Sequence, residues 1–302
     1  MNAEHLIFAE NETLVSILTQ LYNKLFLEES TPDCLSEATL IPLVKSYKKS
    51  LNSANNYRGI SLIPIFTKLL EYIILEKCPI LKMSHHSQFG FKSKCSTLHA
   101  EYLISETIKY YNRNGSNVFM CSLDAEKAFD SCNSDILFKK LREKGVPQPV
   151  VNVIRSLYEN GTYQVSYNGC LSYSFQASQG VFQGSILSPH LYNIYTEALL
   201  DNIGKNSVTG TSIHGCHSGL LAYADDIILV SSTVEGLRDL LKQCIGYFSA
   251  TAITLNAEKT EFIKSGTSKA SPYYTYIPLD GHSLVPMSSL KHLGFIWSVN
   301  KS

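Results

Sequence analysis

The sequence predicts an α+β fold, and three observations carry that expectation. Segments with apolar residues at helical spacing alternate along the chain with short runs that are strand-like. At 302 residues, 44% of them hydrophobic, the chain can bury a substantial core in one large domain or two subdomains. Its most apolar hairpin signal, "LLAYADDIILVSS" at Leu220–Ser232, carries two adjacent acids at its tip.

The elements follow in chain order. "IFTKLLEYIILEK" puts Phe66, Leu69, Leu70, Ile73 and Ile74 on one helical face. Val118–Leu123 reads as a buried strand, with Asp124 at its end. "SDILFKKLREKG" is a helix capped by Ser134 and terminated by Gly145. "TYQVSYNGCLSYSF" alternates around Asn168–Gly169, a strong hairpin signal. "LSPHLYNIYTEALLDNI" opens a helix with Ser188 at the N-cap and Pro189 at the first helical position. After the aspartate hairpin, Leu237, Leu240, Leu241, Cys244, Ile245 and Phe248 form an amphipathic helical stripe. No internal repeat, low-complexity tract or linker divides these segments.

Lys+Arg and Asp+Glu are equal at 26 each, so overall charge gives no hint of a nucleic-acid partner. The distribution is uneven. Residues 1–40 carry Glu4, Glu10, Glu12, Glu28, Glu29, Asp33 and Glu37 against Lys24 alone. "KSYKKSLNSANNYR" then carries Lys45, Lys48, Lys49 and Arg58 without an acid, a pattern that by itself reads as a solvated loop. The eight cysteines show no C-x-x-C pair, which points to buried thiols in a reduced intracellular protein. "HGCH" (His214, Cys216, His217) lacks the second pair that a zinc site requires. No signal-peptide pattern opens the chain, and no apolar run reaches ~18 residues, so no membrane partner is expected.

Asp225 and Asp226 have two readings: turn formers, or holders of a hard divalent cation, for which oxygen ligands are the rule. Asp124 likewise either caps the next segment or supplies a second acidic site at a strand end. Two strand-end aspartates from separate segments can lie side by side in one sheet and share two divalent ions.

"LDAEKAFDS", "SQGVFQGSILSPHLYNIYTEAL" and "LAYADDIILVSS", in this order and at these separations, resemble a reverse transcriptase of the non-LTR (LINE-type) retrotransposon class. "LIPLVKS", "NYRGISLIPIFTKLLEYII" and "SQFGFKSKCSTLHA" resemble its fingers motifs, and "LNAEKTEFI" and "LKHLGFIW" its later palm motifs. The resemblance implies a right-hand polymerase with fingers, and a palm whose antiparallel sheet is flanked by helices. Fingers are expected in 1–117 with part in 137–182, palm in 118–270, and a primer-grip hairpin in 271–302. The thumb is expected to be missing or incomplete beyond Ser302.

The resemblance also implies roles. Asp124, Asp225 and Asp226 are the metal-binding catalytic set, with Asp124 and Asp225 as direct ligands of two Mg²⁺ ions, or Mn²⁺. Phe129 is a ring that excludes a 2′-hydroxyl, or else an ordinary core residue. Gln183 and Gly184 contact the nascent base pair, or form a loop feeding the next helix. Lys45 and Arg58 grip the triphosphate of the incoming deoxynucleotide. Lys48 and Lys49 face solvent or template, and Lys92 stands where relatives carry Arg. Lys259 is a leaving-group acid near pyrophosphate, or a solvated lysine. Leu293, Gly294 and Phe295 belong to the primer grip. Gly59 replaces a Pro common in relatives. The partners implied are an RNA template, a DNA primer and deoxynucleoside triphosphates, with nuclear action. Two alternatives stand beside this reading: a catalytically silent relic that binds RNA or a protein, and a palm-type nucleotide cyclase, against which the long fingers match from Lys45 to Thr97 argues.

Overall fold

The computed structural model describes residues 12–177, 179–205, 209–266, 276–279 and 282–298. In chain order its first half contains α1 (Glu12–Glu28), β1 (Glu37–Val44), β2 (Tyr57–Leu62), α2 (Ile65–Lys77), α3 (Thr97–Arg113), β3 (Val118–Leu123) and β4 (Ala125–Glu126). Then come α4 (Ser134–Glu143), α5 (Gln148–Glu159), β5 (Thr162–Tyr167), β6 (Cys170–Leu171), β7 (Phe175–Gln176) and α6 (Ser188–Lys205). Two small strands, β8 (Ser212–Ile213) and β9 (Cys216–His217), precede β10 (Leu220–Tyr223), β11 (Asp226–Ser231), α7 (Val234–Ala250), β12 (Thr254–Leu255) and β13 (Glu261–Ser265). Two hairpins close the series: β14 (Ile277–Leu279) with β15 (His282–Leu284), and β16 (Ser289–His292) with β17 (Phe295–Ser298).

The chain forms two compact units, Met1–Met83 with Cys132–Tyr192, and Ser84–Ser131 with Asn193–Ser302. They divide the chain elsewhere than at the 117/118 boundary expected from the sequence. Residues 84–117 join the second unit because α3 packs on β3, β8 and β10.

In the first unit, β2, β1, β5 and β6 form a sheet, and β7 also pairs with β5. β1 is antiparallel to β2 and parallel to β5. The β5–β6 hairpin turns at Asn168 (φ +49°) and Gly169 (φ +78°), the two left-handed positions that a type I′ turn needs. α4 starts one residue away from the expected cap: Asn133, not Ser134, accepts the backbone N–H of Ile136 at 3.1 Å. Gly145 (φ +87°) follows its end, as expected. The buried line of α2 also differs from the apolar stripe. Thr67, Leu70, Glu71, Ile74 and Leu75 are buried, while Phe66, Leu69 and Ile73 are half-buried. Thr67 and Glu71 enter the core because each has a hydrogen-bond partner there, Leu35 O for the first and the Ser185–Ile186 segment for the second.

The second unit is built on a four-stranded antiparallel sheet in the order β10-β11-β3-β13. β3 is central, and Val118, Phe119, Met120, Cys121 and Leu123 are all buried. Val118 and Met120 join Ile104 and Ile108 of α3 in one core cluster with Ile228, Val230, Ile263 and Leu290. The alternate face carries Cys121 toward Cys244 of α7. With both faces covered, β3 reads in sequence as a nearly continuous apolar run, broken only by the half-buried Ser122, rather than as an alternating one. Asp124 follows this buried strand directly and is itself half-buried. Among the described residues no helix is long and apolar enough to cross a membrane, and all eight cysteines are free thiols.

Candidate active site

The end of the second unit's sheet gathers the acids. Leu123, the last residue of β3, pairs with Ile227, and Tyr223 pairs with Asp226 across the β10–β11 hairpin. Asp124 leaves β3 where Asp226 opens β11, and Asp225 sits beside them in the two-residue turn. Asp124 and Asp225 are half-buried, and Asp226 is exposed. Of the two readings of the acid pair, the structure shows the turn: Asp225 lies in it, at the sheet end where Asp124 leaves another strand.

The chain beyond Asp124 is fixed by a second pairing. β4 pairs with β12, and Asn256 N–H donates to Asp124 O at 2.8 Å. The turn from Asn256 to Lys259 closes through Lys259 N–H on Asn256 Oδ1 at 3.2 Å. It brings the Lys259 ammonium 2.8 Å from Asp124 Oδ2, with the Asp124 side chain 35% exposed. Phe129, half-buried, meets the exposed ring of Phe91 edge to face at 6.2 Å.

Magnesium takes oxygen ligands, commonly one or two carboxylates completed by substrate phosphates and waters. Asp124, Asp225 and Asp226 have that donor chemistry, and the Lys259 ammonium already stands where a cation would neutralise Asp124. Among the described residues no three His, Cys, Asp or Glu side chains form a group able to hold a metal by themselves. "HGCH" is a hairpin: His214 (φ +49°) and Gly215 (φ +80°) make the turn between β8 and β9.

The first unit holds a second set. Lys45 follows β1 by one residue, Leu43 pairs with Arg58, and both cations are exposed. Lys45 Nζ donates to Asn55 O at 3.2 Å, in the loop that leads to Arg58. The intervening loop is tied by Asn56, 3% exposed, whose Nδ2 donates to Ser46 O at 2.8 Å and to the carbonyls of Lys49 and Ser50. The strand that carries Arg58 touches the Gln183–Gly184 segment: Ser61 N–H donates to Gln183 O at 2.6 Å. Gly184 has φ +115°, and a Cβ there would lie 2.7 Å from Ser61 O. Beyond it, Glu71 Oε2 accepts from Ile186 N at 2.9 Å, and Ser185 Oγ accepts from Leu187 N and Ser188 N at 3.1 Å. Burial pushes the Glu71 carboxyl up, against the pull of Ser185 and the Ile186 and Leu187 amides.

Leu293 (φ +47°) and Gly294 (φ +88°) form the turn of the β16–β17 hairpin in the second unit. Phe295 is 41% and Ile296 73% exposed, so the hairpin presents an apolar tip. Glu101 of α3 anchors it, with His292 Nδ1 2.6 Å from Oε1 and Trp297 Nε1 donating to Oε2 at 2.7 Å. Of the segment 271–302, residues 271–275, 280–281 and 299–302 lie outside the described residues.

Sequence reasoning gave no role to Asn56, Glu71 or Glu101. A signal was available for the two acids, since each sits within the buried face of an amphipathic helix. An acid at such a position is kept only with partners.

Comparison with known proteins gives the family and the fold. The family described as "Reverse transcriptase (RNA-dependent DNA polymerase)" matches residues 47–297. An RNA-directed DNA polymerase from the mobile element jockey of Drosophila funebris is 30% identical over 249 residues, covering 79% of this chain and 26% of that protein. The Pol polyprotein of the Drosophila melanogaster element R2DM is 26% identical over 225 residues, 74% of this chain and 21% of that protein. The chain thus spans about a quarter of the length of these relatives. Among solved structures, apo telomerase from Candida Tropicalis has a TM-score of 0.57 at 17% identity, covering 89% of this chain and 54% of its own. That likeness assigns the fingers–palm polymerase fold. The chain belongs to the reverse transcriptase (RNA-dependent DNA polymerase) family, among the non-LTR retrotransposon enzymes.

Proposed function

We propose that this chain is the catalytic core of an RNA-directed DNA polymerase, extending a DNA primer on an RNA template with deoxynucleoside triphosphates. The observation that supports it best is the β3–β11 register, by which Asp124 and the Asp225–Asp226 turn leave one sheet at the same end. In this reading the second unit is the palm and the first the fingers. Asp124 and Asp225 would hold two Mg²⁺ ions, and Asp226 adds negative field beside them. Such ions, when bound, lower the pKa of the primer hydroxyl and neutralise phosphate charge.

The remaining roles belong to the chain's own groups. Lys259 balances Asp124 before substrate arrives and is then free to donate to the leaving pyrophosphate. Arg58 binds phosphate oxygens as a fork and Lys45 as a point charge. Phe129, braced by Phe91, takes the space that a 2′-hydroxyl would need. Gln183 and Gly184 lie close to the nascent base pair, where the missing Cβ of Gly184 lets backbone approach. Leu293, Gly294 and the exposed Phe295 and Ile296 support the primer end.

Primer extension on an RNA template, with Mg²⁺ and deoxynucleotides, tests this. Extension by the parent chain should fall at least ~100-fold in Asp124→Ala and in Asp225→Ala, the size of effect that loss of transition-state charge stabilisation gives. Retention of the parent rate by either variant would overturn the assignment. A folded parent that binds RNA and extends nothing would identify a silent relic instead.

A further inference from the structure

The turn that delivers Asp225 is held from outside. Ala224 has φ +59°, a left-handed conformation that a residue with a Cβ enters only at a cost, and it is buried. Strain of this kind persists where the surroundings over-determine it, and here they do. Gln88, 1% exposed, accepts the Ala224 N–H on Oε1 at 2.9 Å, and its Nε2 donates to Ala224 O at 3.4 Å. The same Oε1 accepts Gly90 N–H at 2.8 Å, which fixes the amide's own orientation. Backbone bonds lock the two segments in register: Phe89 N–H to Ala222 O at 2.8 Å, and Ala222 N–H to Ser87 O at 2.9 Å. A Cβ on Gly90 would lie 2.2 Å from Ala224 N, so only glycine permits the approach. Asn193, on α6, donates to Gly90 O at 3.1 Å and braces the clamp from behind.

We propose that Gln88 is a positioning residue for the polymerase reaction. By grasping both the N–H and the C=O of Ala224 it orients the peptide leading into Asp225, and so sets how tightly the aspartates take a divalent cation. The inference rests on the reading of Asp124 and Asp225 as the cation site. Glutamine is the side chain suited to this, since it supplies an acceptor and a donor without charge. Glutamate lacks the donor, and methionine has the length with neither hydrogen bond.

The test uses the whole chain and Mn²⁺ as probe, with binding read by electron paramagnetic resonance and turnover by primer extension. Parent protein should bind Mn²⁺ and Asp225→Ala should not. Gln88→Met should weaken Mn²⁺ at least ~10-fold and lower kcat at subsaturating Mn²⁺, with the deoxynucleotide KM unchanged. Adding Ala224→Gly should recover part of the affinity, because glycine takes positive φ without strain. If Gln88→Met does not fold, Gln88→Asn, which keeps a buried amide but falls short of Ala224, carries the test. Parent-like Mn²⁺ affinity and kcat in a folded Gln88 variant would overturn the proposal. Absence of Mn²⁺ binding by the parent, or equal binding by Asp225→Ala, would instead overturn the cation site and the proposal with it.

Discussion

At Gly184 one missing methyl decides how two segments meet. The residue has φ +115°, and the space where a Cβ would stand is already taken by Ser61 O. Gly184→Ala must therefore both strain its own backbone and push β2 away, at about 1–3 kcal/mol for the strained dihedral alone. Denaturant unfolding should show that loss, and deoxynucleotide KM should rise because β2 carries Arg58. An unchanged midpoint would mean that the contact yields freely. The sequence marked Gly184 by resemblance but could not name its neighbour, since Ser61 is remote in the chain. The same holds for Asp225, where the double acid was visible and the Ala224 strain beside it was not: nothing in the letters "YADD" says that the alanine is left-handed.

Elements were legible where their signals are local. The Asn168–Gly169 hairpin and the stripe on α7 follow from turn chemistry and periodicity, and both are present. The buried face of α2 was misplaced because hydrophobicity cannot anticipate a satisfied polar residue, and Glu71 and Thr67 are both of that kind. Glu101 is the parallel case in the second unit, and it offers a clean experiment. It is 3% exposed and binds His292 and Trp297 of the last hairpin. Glu101→Leu leaves two ring N–H groups without partners, a loss of roughly 1–3 kcal/mol if they stay buried. Trp297 is the chain's one tryptophan, so its fluorescence reports the hairpin directly. The emission should shift to the red, and the tryptophan signal should be lost at lower denaturant than far-UV circular dichroism. Coincident, parent-like transitions would show that Leu290 and its core neighbours hold the hairpin without Glu101.

At the scale of the whole molecule, each unit is assembled from two separated stretches of chain, an arrangement that no local signal announces. Periodicity finds β3 and β11 but does not say that they pair. Two groups, one in each unit, have proton affinities displaced in opposite directions, and both bear on stability below about pH 8. In the second unit burial lowers His85 to about 4, with His86, Lys92 and His217 pushing the same way and Asp201 opposing. Neutral His85 also accepts Ser87 N–H at 3.1 Å, next to the clamp on Ala224. The unfolded chain binds that proton from about pH 6.5 downward, so the stabilisation is full above 6.5 and is lost as pH falls toward 4. In the first unit burial raises Glu71. Its contribution is full below the ordinary carboxylate range and is lost as pH rises through the folded value. His85→Asn keeps an acceptor for Ser87, and Glu71→Gln keeps one for Ile186, while neither titrates. Thermal unfolding from about pH 4 to about pH 8 should then show the parent losing ground to His85→Asn in acid and to Glu71→Gln as pH rises. A variant whose curve runs parallel to the parent's would show that its group titrates alike in the folded and unfolded chain. Above about pH 6.5 the His85 contribution is complete: the ring is neutral and holds Ser87, and with it the segment that grips the aspartate turn.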